Sequence, residues 1–357
     1  MKKYLTYMLL GGLLVFTGCG SKTADNGMPV SNIADEVEAE SSSEDDVTAE
    51  AHISMKESEE SLLEVTAEPS VEESLTEEEL ASLEWAAYEE YMASLAYPSK
   101  KAEYVDYIVE AIELLPDEKP ESTLKQKDVE CDTLQWLNAT YAMFVRSLGA
   151  DYHYVGGYDD ERDDKVEYLY EQLESSWGIV DRASAIETIL WLATDGHAPG
   201  YAEEIQLLDM GEILELDEKT FLQVWDLLAQ EQGLSEEDKQ SVVEYYQHMR
   251  VIYNACGDNG IDGWDYCRIM QLCGNCYYLG YFTLEESLSI QLAVAQVMQA
   301  QFDSWTALND SYYYGYSYYA YGSSYVELRK WHYDRLMEDG ESPYNTLDFK
   351  MPLEKFW

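Results

Sequence analysis

Basic residues are scarce in this chain of 357 residues, which has 22 lysines and arginines against 71 aspartates and glutamates. The formal charge at pH 7 is −49. A protein that binds nucleic acid or an anionic lipid surface needs a basic face that releases counterions, and basic residues stay sparse everywhere after Lys3. The composition therefore excludes DNA, RNA and polybasic docking on lipid.

The common sequence signatures of catalysis and cofactor binding are also missing. The chain has no His-Glu-x-x-His, P-loop or Gly-x-Gly-x-x-Gly pattern, and no Gly-x-Ser-x-Gly frames Ser304, which we interpret as a helix cap. The stretch 258–263 superficially suggests a calcium loop, but Ile269 stands where the bidentate Glu is needed. Apart from the cysteines, these patterns indicate no metal site and no cofactor.

No hydrophobic run reaches the roughly twenty residues that a membrane-spanning helix needs. The apolar stretch from Leu5 to Phe16 follows two lysines, which is typical of a signal peptide. The Thr17-Gly18-Cys19 sequence that follows resembles the lipobox of bacterial lipoproteins, which implies a signal peptide over residues 1–18 and a lipid on Cys19. An uncleaved short anchor is the alternative. We expect a protein anchored to the cell membrane through lipid on Cys19, on the extracytoplasmic face.

Residues 19–75 have the composition of a disordered acidic tether that begins at the lipidated cysteine. From Gly20 to Leu75 there are sixteen acidic residues, two lysines and no aromatic residue of the Phe, Trp or Tyr type. Such a segment buries too little apolar surface to offset the entropy of ordering it, and its like charges extend it. We favour the interpretation as a stalk over an acidic segment that binds calcium or a basic partner.

Residues 76–357 have the composition and periodicity of one all-α domain. Eight of the nine tryptophans follow Trp85, and 76–79 and 283–286 both read as capping boxes. Apolar residues recur at helical spacing from Leu80 to Leu95 and in ten further segments, at about 101–115, 130–148, 161–176, 179–194, 201–214, 218–231, 236–255, 264–278, 284–301 and 323–338. Sustained period-two alternation is missing, so we expect a single compact multi-helix domain of about ten helices.

Eight tyrosines lie among the fourteen residues from Tyr312 to Tyr325. Tyrosine combines a large contact area with a hydroxyl group, which suits carbohydrate stacking and protein interfaces. A semi-exposed helix of a tyrosine-rich protein explains the segment equally well. The sequence leaves both interpretations open and favours the helix.

Five cysteines fall in the predicted domain, and two of them form the motif Cys273-Gly-Asn-Cys276. A Cys-x-x-Cys pair can be a redox couple or half of a zinc site, although Cys256 and Cys267 do not complete a standard zinc ribbon. Outside the cytoplasm a disulfide among Cys131 and these four residues is possible. Plain buried thiols, a structural disulfide and metal or redox chemistry all remain open.

A set of motifs carries a specific likeness to a known family. In chain order they are Trp177-Gly178-Ile179-Val180-Asp181-Arg182, Trp191-Leu192-Ala193-Thr194-Asp195-Gly196-His197, Gly263-Trp264-Asp265-x-x-Arg268, Gly280-Tyr281-Phe282-x-x-Glu285-Glu286, Phe302-Asp303-Ser304-Trp305 and Tyr312-x-x-Gly315. Together they resemble the bacterial family known as domain of unknown function 1266, over about residues 174–322. The resemblance implies a compact helical domain and carries no established activity.

The polar and aromatic members of these motifs supply the candidate site residues. The catalytic candidates are Asp181, His197, Asp265 and Arg268, and the binding candidates are Arg182, Trp264, Tyr281 and Trp305. In a functional interpretation an arginine fixes an anionic group, while an aspartate orients His197 as a general acid or base. The alternative is a buried network of ion pairs and hydrogen bonds that fixes helix packing.

The sequence thus favours a membrane-anchored lipoprotein whose helical domain interacts with another protein or an envelope component, without catalysis. The alternative function is a hydrolase-type enzyme centred on His197 with Asp181 and Arg268. That alternative requires the three side chains to meet at a solvent-reachable cleft, because catalytic groups act within hydrogen-bond reach.

Overall fold

A computed structural model of the protein describes residues 100–129, 131–159, 165–210 and 214–357. Eleven α-helices of at least eight residues, and no β-strand, lie within these ranges, which confirms the all-α prediction. None of the helices found there is long and apolar enough to cross a membrane. The predicted signal peptide, Cys19, the tether, the first capping box and the helical period from Leu80 to Leu95 lie outside the described residues.

The helices follow the predicted periods closely. They are α1 (Lys101–Glu113), α2 (Asp132–Ala139), α3 (Ala142–Ser147), α4 (Lys165–Trp177), α5 (Arg182–Thr194), α6 (Ala198–Met210), α7 (Glu218–Gln232), α8 (Glu236–Cys256), α9 (Asp262–Leu279), α10 (Leu284–Gln301), α11 (Trp305–Tyr319), α12 (Tyr325–Glu338) and α13 (Pro343–Thr346). The period predicted at 130–148 is divided into α2 and α3, because the N–H of Thr140 bonds to the carbonyl of Leu137 three residues back and tightens the last turn.

Helix α9 forms the centre of the fold. Every one of its residues except Tyr277 is buried, and it packs against α4, α5, α6, α10, α11 and the short 3₁₀ turn at Val155–Gly157. A helix that is buried on all sides is expected to be apolar all round. Yet α9 carries Asp262, Asp265 and Arg268 at buried positions, so these polar groups need partners inside the protein.

Glycines let the neighbours of α9 approach its backbone. A Cβ atom at Gly315 of α11 would overlap the side chain of Trp264, and one at Gly263 would lie 2.9 Å from the carbonyl oxygen of Leu308.

Side-chain hydroxyls cap the helices that pack here: Thr283 accepts from the N–H of Glu286, and Ser304 accepts from the N–H of Ala307. The capping box at 283–286 and the cap at Ser304 are therefore confirmed.

The tyrosine-rich segment forms α11 and the turn after it. Tyr312, Tyr313 and Tyr316 are buried, and the rings of Tyr312 and Tyr316 lie 5.3 and 5.5 Å from that of Trp264. The sequence periods missed this helix, because aromatic residues occupy its polar and apolar sides alike. The three buried tyrosines belong to the core, and four others, Tyr314, Tyr318, Tyr319 and Tyr325, pack against it while partly buried, so the interpretation as a semi-exposed helix agrees with the structure.

All five cysteines of the described ranges are free thiols, and all but Cys131 are buried. Burial raises the pKa of Cys267, Cys273 and Cys276 above the ordinary value, which keeps these thiols protonated and poorly reactive. Within the same ranges no group of three or more His, Cys, Asp or Glu residues could hold a metal ion. Of the three interpretations left open, plain buried thiols agree with the structure.

Candidate functional site

A buried ion pair between two helices lies at the centre of the candidate site. Asp265, in the first turn of α9, is fully buried, and Lys101, the first residue of α1, is 2% exposed. The Nζ atom of Lys101 donates to Asp265 Oδ2 and to the carbonyl of Asp195, both at 3.0 Å. Its backbone N–H donates to Asp262 Oδ2 at 3.1 Å. Lys101 thus joins the start of α1 to the start of α9 and the end of α5.

The Asp265 carboxylate also caps α6 from outside that helix. It accepts from the backbone N–H of His197 at 2.9 Å and from that of Ala198 at 3.1 Å. A negative charge is favourable at a helix N-terminus, where free N–H groups and the helix dipole meet. Gly196 makes the approach possible, because its φ of +65° and its lack of a side chain leave room for the carboxylate.

These contacts decide the charge of Asp265. Burial by itself raises the pKa of a carboxyl group, but the ammonium of Lys101, the bonds from His197 and the guanidinium of Arg268 outweigh it. The pKa of Asp265 is therefore held well below its usual range. The site contains an ionised carboxylate that solvent does not reach.

Arg268 lies one turn after Asp265, between two tryptophan rings. Its Cζ atom is 4.2 Å from the ring centroid of Trp177 and 4.6 Å from that of Trp264, within cation–π distance. Its side chain is 8% exposed, and Nη1 lies 3.9 Å from Asp265 Oδ1. Burial lowers the pKa of Arg268 to about 10, so the guanidinium stays charged at neutral pH.

The nitrogen Nδ1 of His197 faces Arg268 and accepts a hydrogen bond from it. Arg268 Nη1 lies 3.0 Å from this atom, whereas Asp265 Oδ1 lies 3.6 Å away. An arginine only donates, so the shorter contact assigns the lone pair to Nδ1 and the proton to Nε2. Burial lowers the pKa of His197, with Asp265 opposing the shift, and the ring is neutral at pH 7. A general base held by an aspartate would need the opposite tautomer.

Aromatic side chains surround His197 where the cluster meets solvent. Trp191 is 37% exposed and stands edge to face with the His197 ring at 5.5 Å, and half-buried Tyr319 does the same at 5.1 Å. The His197 side chain is 19% exposed. Trp177, Trp191, His197, Arg268 and Tyr319 together are called the His197 face below.

Asp181 takes no part in this cluster. It is the N-cap of α5, where its Oδ1 accepts from the N–H of Ser184 at 2.8 Å, and this bond and the one from the Ser184 hydroxyl lower the pKa of its exposed carboxyl. His197 follows the other end of the same helix, which is about 20 Å long at 1.5 Å per residue. The structure brings His197, Asp265 and Arg268 together. It does not bring Asp181 to them, so the trio of the hydrolase hypothesis is not assembled.

Arg182 and Tyr281 connect α5 to α10 rather than face a ligand. The Arg182 guanidinium forms two parallel bonds with Glu286, at 2.7 and 3.1 Å, and also donates to the carbonyls of Tyr281 and Pro116. The hydroxyl of Tyr281 donates to the carbonyl of Val180 at 2.8 Å. Both side chains are thus occupied by contacts within the protein.

The two tryptophans among the binding candidates are core residues. Trp264 is 3% exposed and forms one wall around Arg268. Trp305 is 5% exposed, and its indole N–H donates to the carbonyl of Leu347 at 2.9 Å. Trp264 thus contributes to the site by packing against Arg268 inside the core. Trp305 belongs to a separate aromatic cluster with Trp136 and Phe349.

Sequence reasoning missed Lys101. One signal was present, since a lysine in the first turn of a helix opposes the helix dipole and needs a compensating partner. That partner, Asp265, lies 164 residues further along the chain, so helical spacing could not indicate it. Trp177 and Trp191 belonged to the quoted motifs, but nothing in their spacing showed that they would lie beside Arg268 and His197.

Residues 172–349 match the family model described as "Protein of unknown function (DUF1266)". This segment of the chain belongs to the DUF1266 family. It contains all of the His197 face and the ionised Asp265, whereas Lys101 comes from the preceding part of the chain. The DUF1266 domain of this protein is therefore completed by a residue that lies outside the matched segment.

A curated relative is similar over part of the chain. It is the "Uncharacterized protein YbeU" of Escherichia coli (strain K12), which is 29% identical over 137 residues. The alignment covers 38% of this chain and 51% of the relative, so the chain spans about half the length of the relative it matches. No solved structure matches the chain.

Proposed function

We propose that this protein is a lipid-anchored lipoprotein on the extracytoplasmic face of the cell membrane, and that its helical domain binds another protein or an envelope component without catalysis. The proposal combines the sequence of the N-terminus with the geometry of the candidate site. Its two parts, anchoring and binding, are supported by different observations and tested separately.

Anchoring is supported by the order of residues 1–19. Two lysines, an apolar segment too short to span a bilayer, and a small residue before Cys19 are the pattern of a lipoprotein signal peptide. A single acyl chain gives marginal membrane binding, and the diacylated cysteine that the lipobox resemblance implies would supply more than one chain. The acidic segment up to residue 75 would then hold the domain away from the membrane.

A binding role without catalysis is supported by the bond between Arg268 and His197, which is the observation that carries this part of the proposal. That bond fixes His197 as a neutral donor, which neither removes a proton at Nε2 nor gives one readily at neutral pH. The other ionised members, Asp265 and Lys101, are sealed from solvent. The part of the site that solvent reaches consists of aromatic side chains, which are suited to binding a partner.

The anchor is tested by growing cells with a clickable fatty-acid analogue and measuring its incorporation into the protein. We expect the wild type to be labelled and to sediment with membranes, and Cys19→Ser to lose both properties. Cys131→Ser, which changes a half-buried cysteine of the helical domain, is the matched control and should keep the label. Labelling of Cys19→Ser at the wild-type level would refute the anchor.

The binding role is tested by placing a photo-crosslinking amino acid at position 191 in whole cells. Position 331 is the matched control, because Trp331 is also an exposed tryptophan, 53% exposed on α12. We expect one discrete crosslinked product from position 191 that is lost when Arg268 is replaced by lysine. Identical product patterns from positions 191 and 331 in several growth conditions would count against an interaction module.

A further inference from the structure

The His197 face presents hydrogen-bond donors beside partly exposed rings. Arg268 donates one bond, to His197, and its Nε is sealed from solvent without a partner. Its Nη2 also has no hydrogen-bond partner among the described residues, and it is not sealed. The Nε2–H of His197 likewise has no acceptor in those residues. Arg268, a charged side chain more than nine-tenths buried, thus has hydrogen-bond donors without partners next to the exposed rings of the His197 face.

The acceptors of the cluster are already occupied. Asp265 accepts from Lys101, His197 and Ala198 and is fully buried. Among the described residues it is the one carboxylate that acts on the pKa of Arg268. A ligand at this face therefore meets donors and aromatic surface, so it must bring the acceptor.

The guanidinium group selects the kind of acceptor. Its donors form a planar fork that matches the two oxygens of a carboxylate, and such charge-assisted pairs are about twice as strong as neutral hydrogen bonds. Trp191 and Tyr319 offer partly exposed rings on which a sugar ring can pack. The formal charge of −49 opposes a polyanionic ligand, whose charges would face the acidic surface well beyond Arg268.

We propose that the His197 face binds a carboxylated sugar, with Arg268 donating to the carboxylate, His197 Nε2–H donating to a sugar oxygen, and Trp191 and Tyr319 packing against the ring. This deepens the proposed function and rests on it, because it takes the envelope as the source of the ligand. The proposal gives a role to the donors of Arg268 and His197 that have no acceptor among the described residues.

The test uses the full chain in mild detergent and isothermal titration at 0.15 M salt, where the Debye length of about 8 Å screens remote carboxylates. The probes are N-acetylmuramic acid and N-acetylglucosamine, which share the sugar ring and differ in the lactyl carboxylate. We expect at least about tenfold tighter binding of the carboxylated sugar. Equal affinities, or no binding of either sugar, would overturn the proposal.

Variants separate the carboxylate from the ring. Arg268→Lys keeps the charge and loses the fork, so it should clearly reduce the preference for the carboxylated sugar. Trp191→Ala should weaken both sugars to a similar extent, while Trp331→Ala should bind as the wild type does. If Arg268→Lys does not fold, as judged by circular dichroism, the two tryptophan variants decide: an unchanged affinity in Trp191→Ala would refute the site.

A third probe, lactate alone, tests whether the ring contributes. Affinity for lactate equal to that for N-acetylmuramic acid would mean that the face binds free carboxylates and would overturn the sugar assignment. The fatty-acid labelling of Cys19 is independent of these titrations. A lipidated protein that binds neither sugar would refute this inference and leave the anchor standing.

Discussion

At the scale of single residues, Gly196 shows how closely the buried ion pair is enclosed. A Cβ atom there would overlap the carboxylate of Asp265 and would lie 2.8 Å from Lys101 Nζ. Gly178 is the contrasting case, because its φ of +66° is almost the same but its Cβ position is open. Alanine variants at the two positions can therefore distinguish the free-energy cost of backbone strain from the cost of displacing Asp265.

Replacing Gly196 with alanine is expected to destabilise the protein far more than Gly178→Ala. Left-handed backbone strain costs about 1–2 kcal/mol at either position. At Gly196 the methyl group also pushes Asp265 from its partners, and breaking a buried pair costs about 3–5 kcal/mol. Urea denaturation of the full chain measures both variants. Similar midpoints would show that the ion pair accommodates a methyl group.

His197 gives the site a defined dependence on pH. Its pKa in the folded state is below the ordinary value near 6.5, so the unfolded chain takes up the proton first as the pH falls. The stability that this residue contributes is fully present above about pH 6.5 and is lost as the pH drops towards the folded pKa. The direction follows from burial, which disfavours the charged ring.

We expect the Tm of the wild type to fall more between pH 7.5 and pH 5.5 than that of His197→Gln. Glutamine can still accept from Arg268 but does not titrate. The control is His52→Gln, which changes a histidine of the predicted acidic tether and should follow the wild-type slope. Equal slopes in all three proteins would mean that His197 does not bind a proton differently on folding.

At the scale of elements, the contact between α5 and α10 depends on one arginine. Arg182 and Glu286 are 12% and 8% exposed and form a bidentate pair. Glu286 also accepts from the backbone N–H of Thr283, so the same carboxylate closes the capping box of α10. One side chain thereby fixes the start of α5, the start of α10 and the carbonyl of Pro116.

Arg182→Ala is expected to cost about 3–5 kcal/mol of unfolding free energy, because it leaves the mostly buried Glu286 without its charge partner. The neighbouring change Asp181→Ala removes an exposed cap and should have a clearly smaller effect. Thermal unfolding of the two variants gives the comparison. A larger loss for Asp181→Ala would show that the cap, rather than the ion pair, holds α5 in place.

At the scale of the whole molecule, the excess of negative charge opposes compactness. The 71 acidic residues exceed the basic ones by 49, and repulsion among them destabilises the folded domain. Salt screens this repulsion, since the Debye length falls from about 30 Å at 0.01 M to about 8 Å at 0.15 M. Buried pairs such as Lys101 and Asp265 are screened much less.

We therefore expect the Tm of the full chain to rise when salt is increased from 0.01 to 0.15 M. Sodium chloride and choline chloride should give the same rise, because screening depends on ionic strength rather than on the cation. A rise with one salt alone would indicate specific ion binding. A constant or falling Tm would contradict self-repulsion as a major destabilising force.

The sequence by itself determined the class of fold and most helix bounds. Apolar residues at helical spacing and hydroxyl or carboxylate caps are local signals, and they placed α1, α4, α5 and α7 to α10 within a few residues. The motif order also identified the family segment, which the match over 172–349 confirms. Helix α11 was indicated by its cap at Ser304 and by the interpretation of the tyrosine-rich segment, but not by a helical period, because its aromatic residues hide that period.

Tertiary structure alone decided which polar residues meet. Asp265 and Arg268 are three apart on one helix, and their proximity was readable from the sequence. Lys101 and His197 come from other elements, and their bonds to these residues span 164 and 71 positions. The burial that keeps His197 neutral and the contacts that keep Asp265 charged both depend on how the helices pack around α9. Spacing along the chain cannot report either property, because both arise from groups that are distant in sequence and close in space.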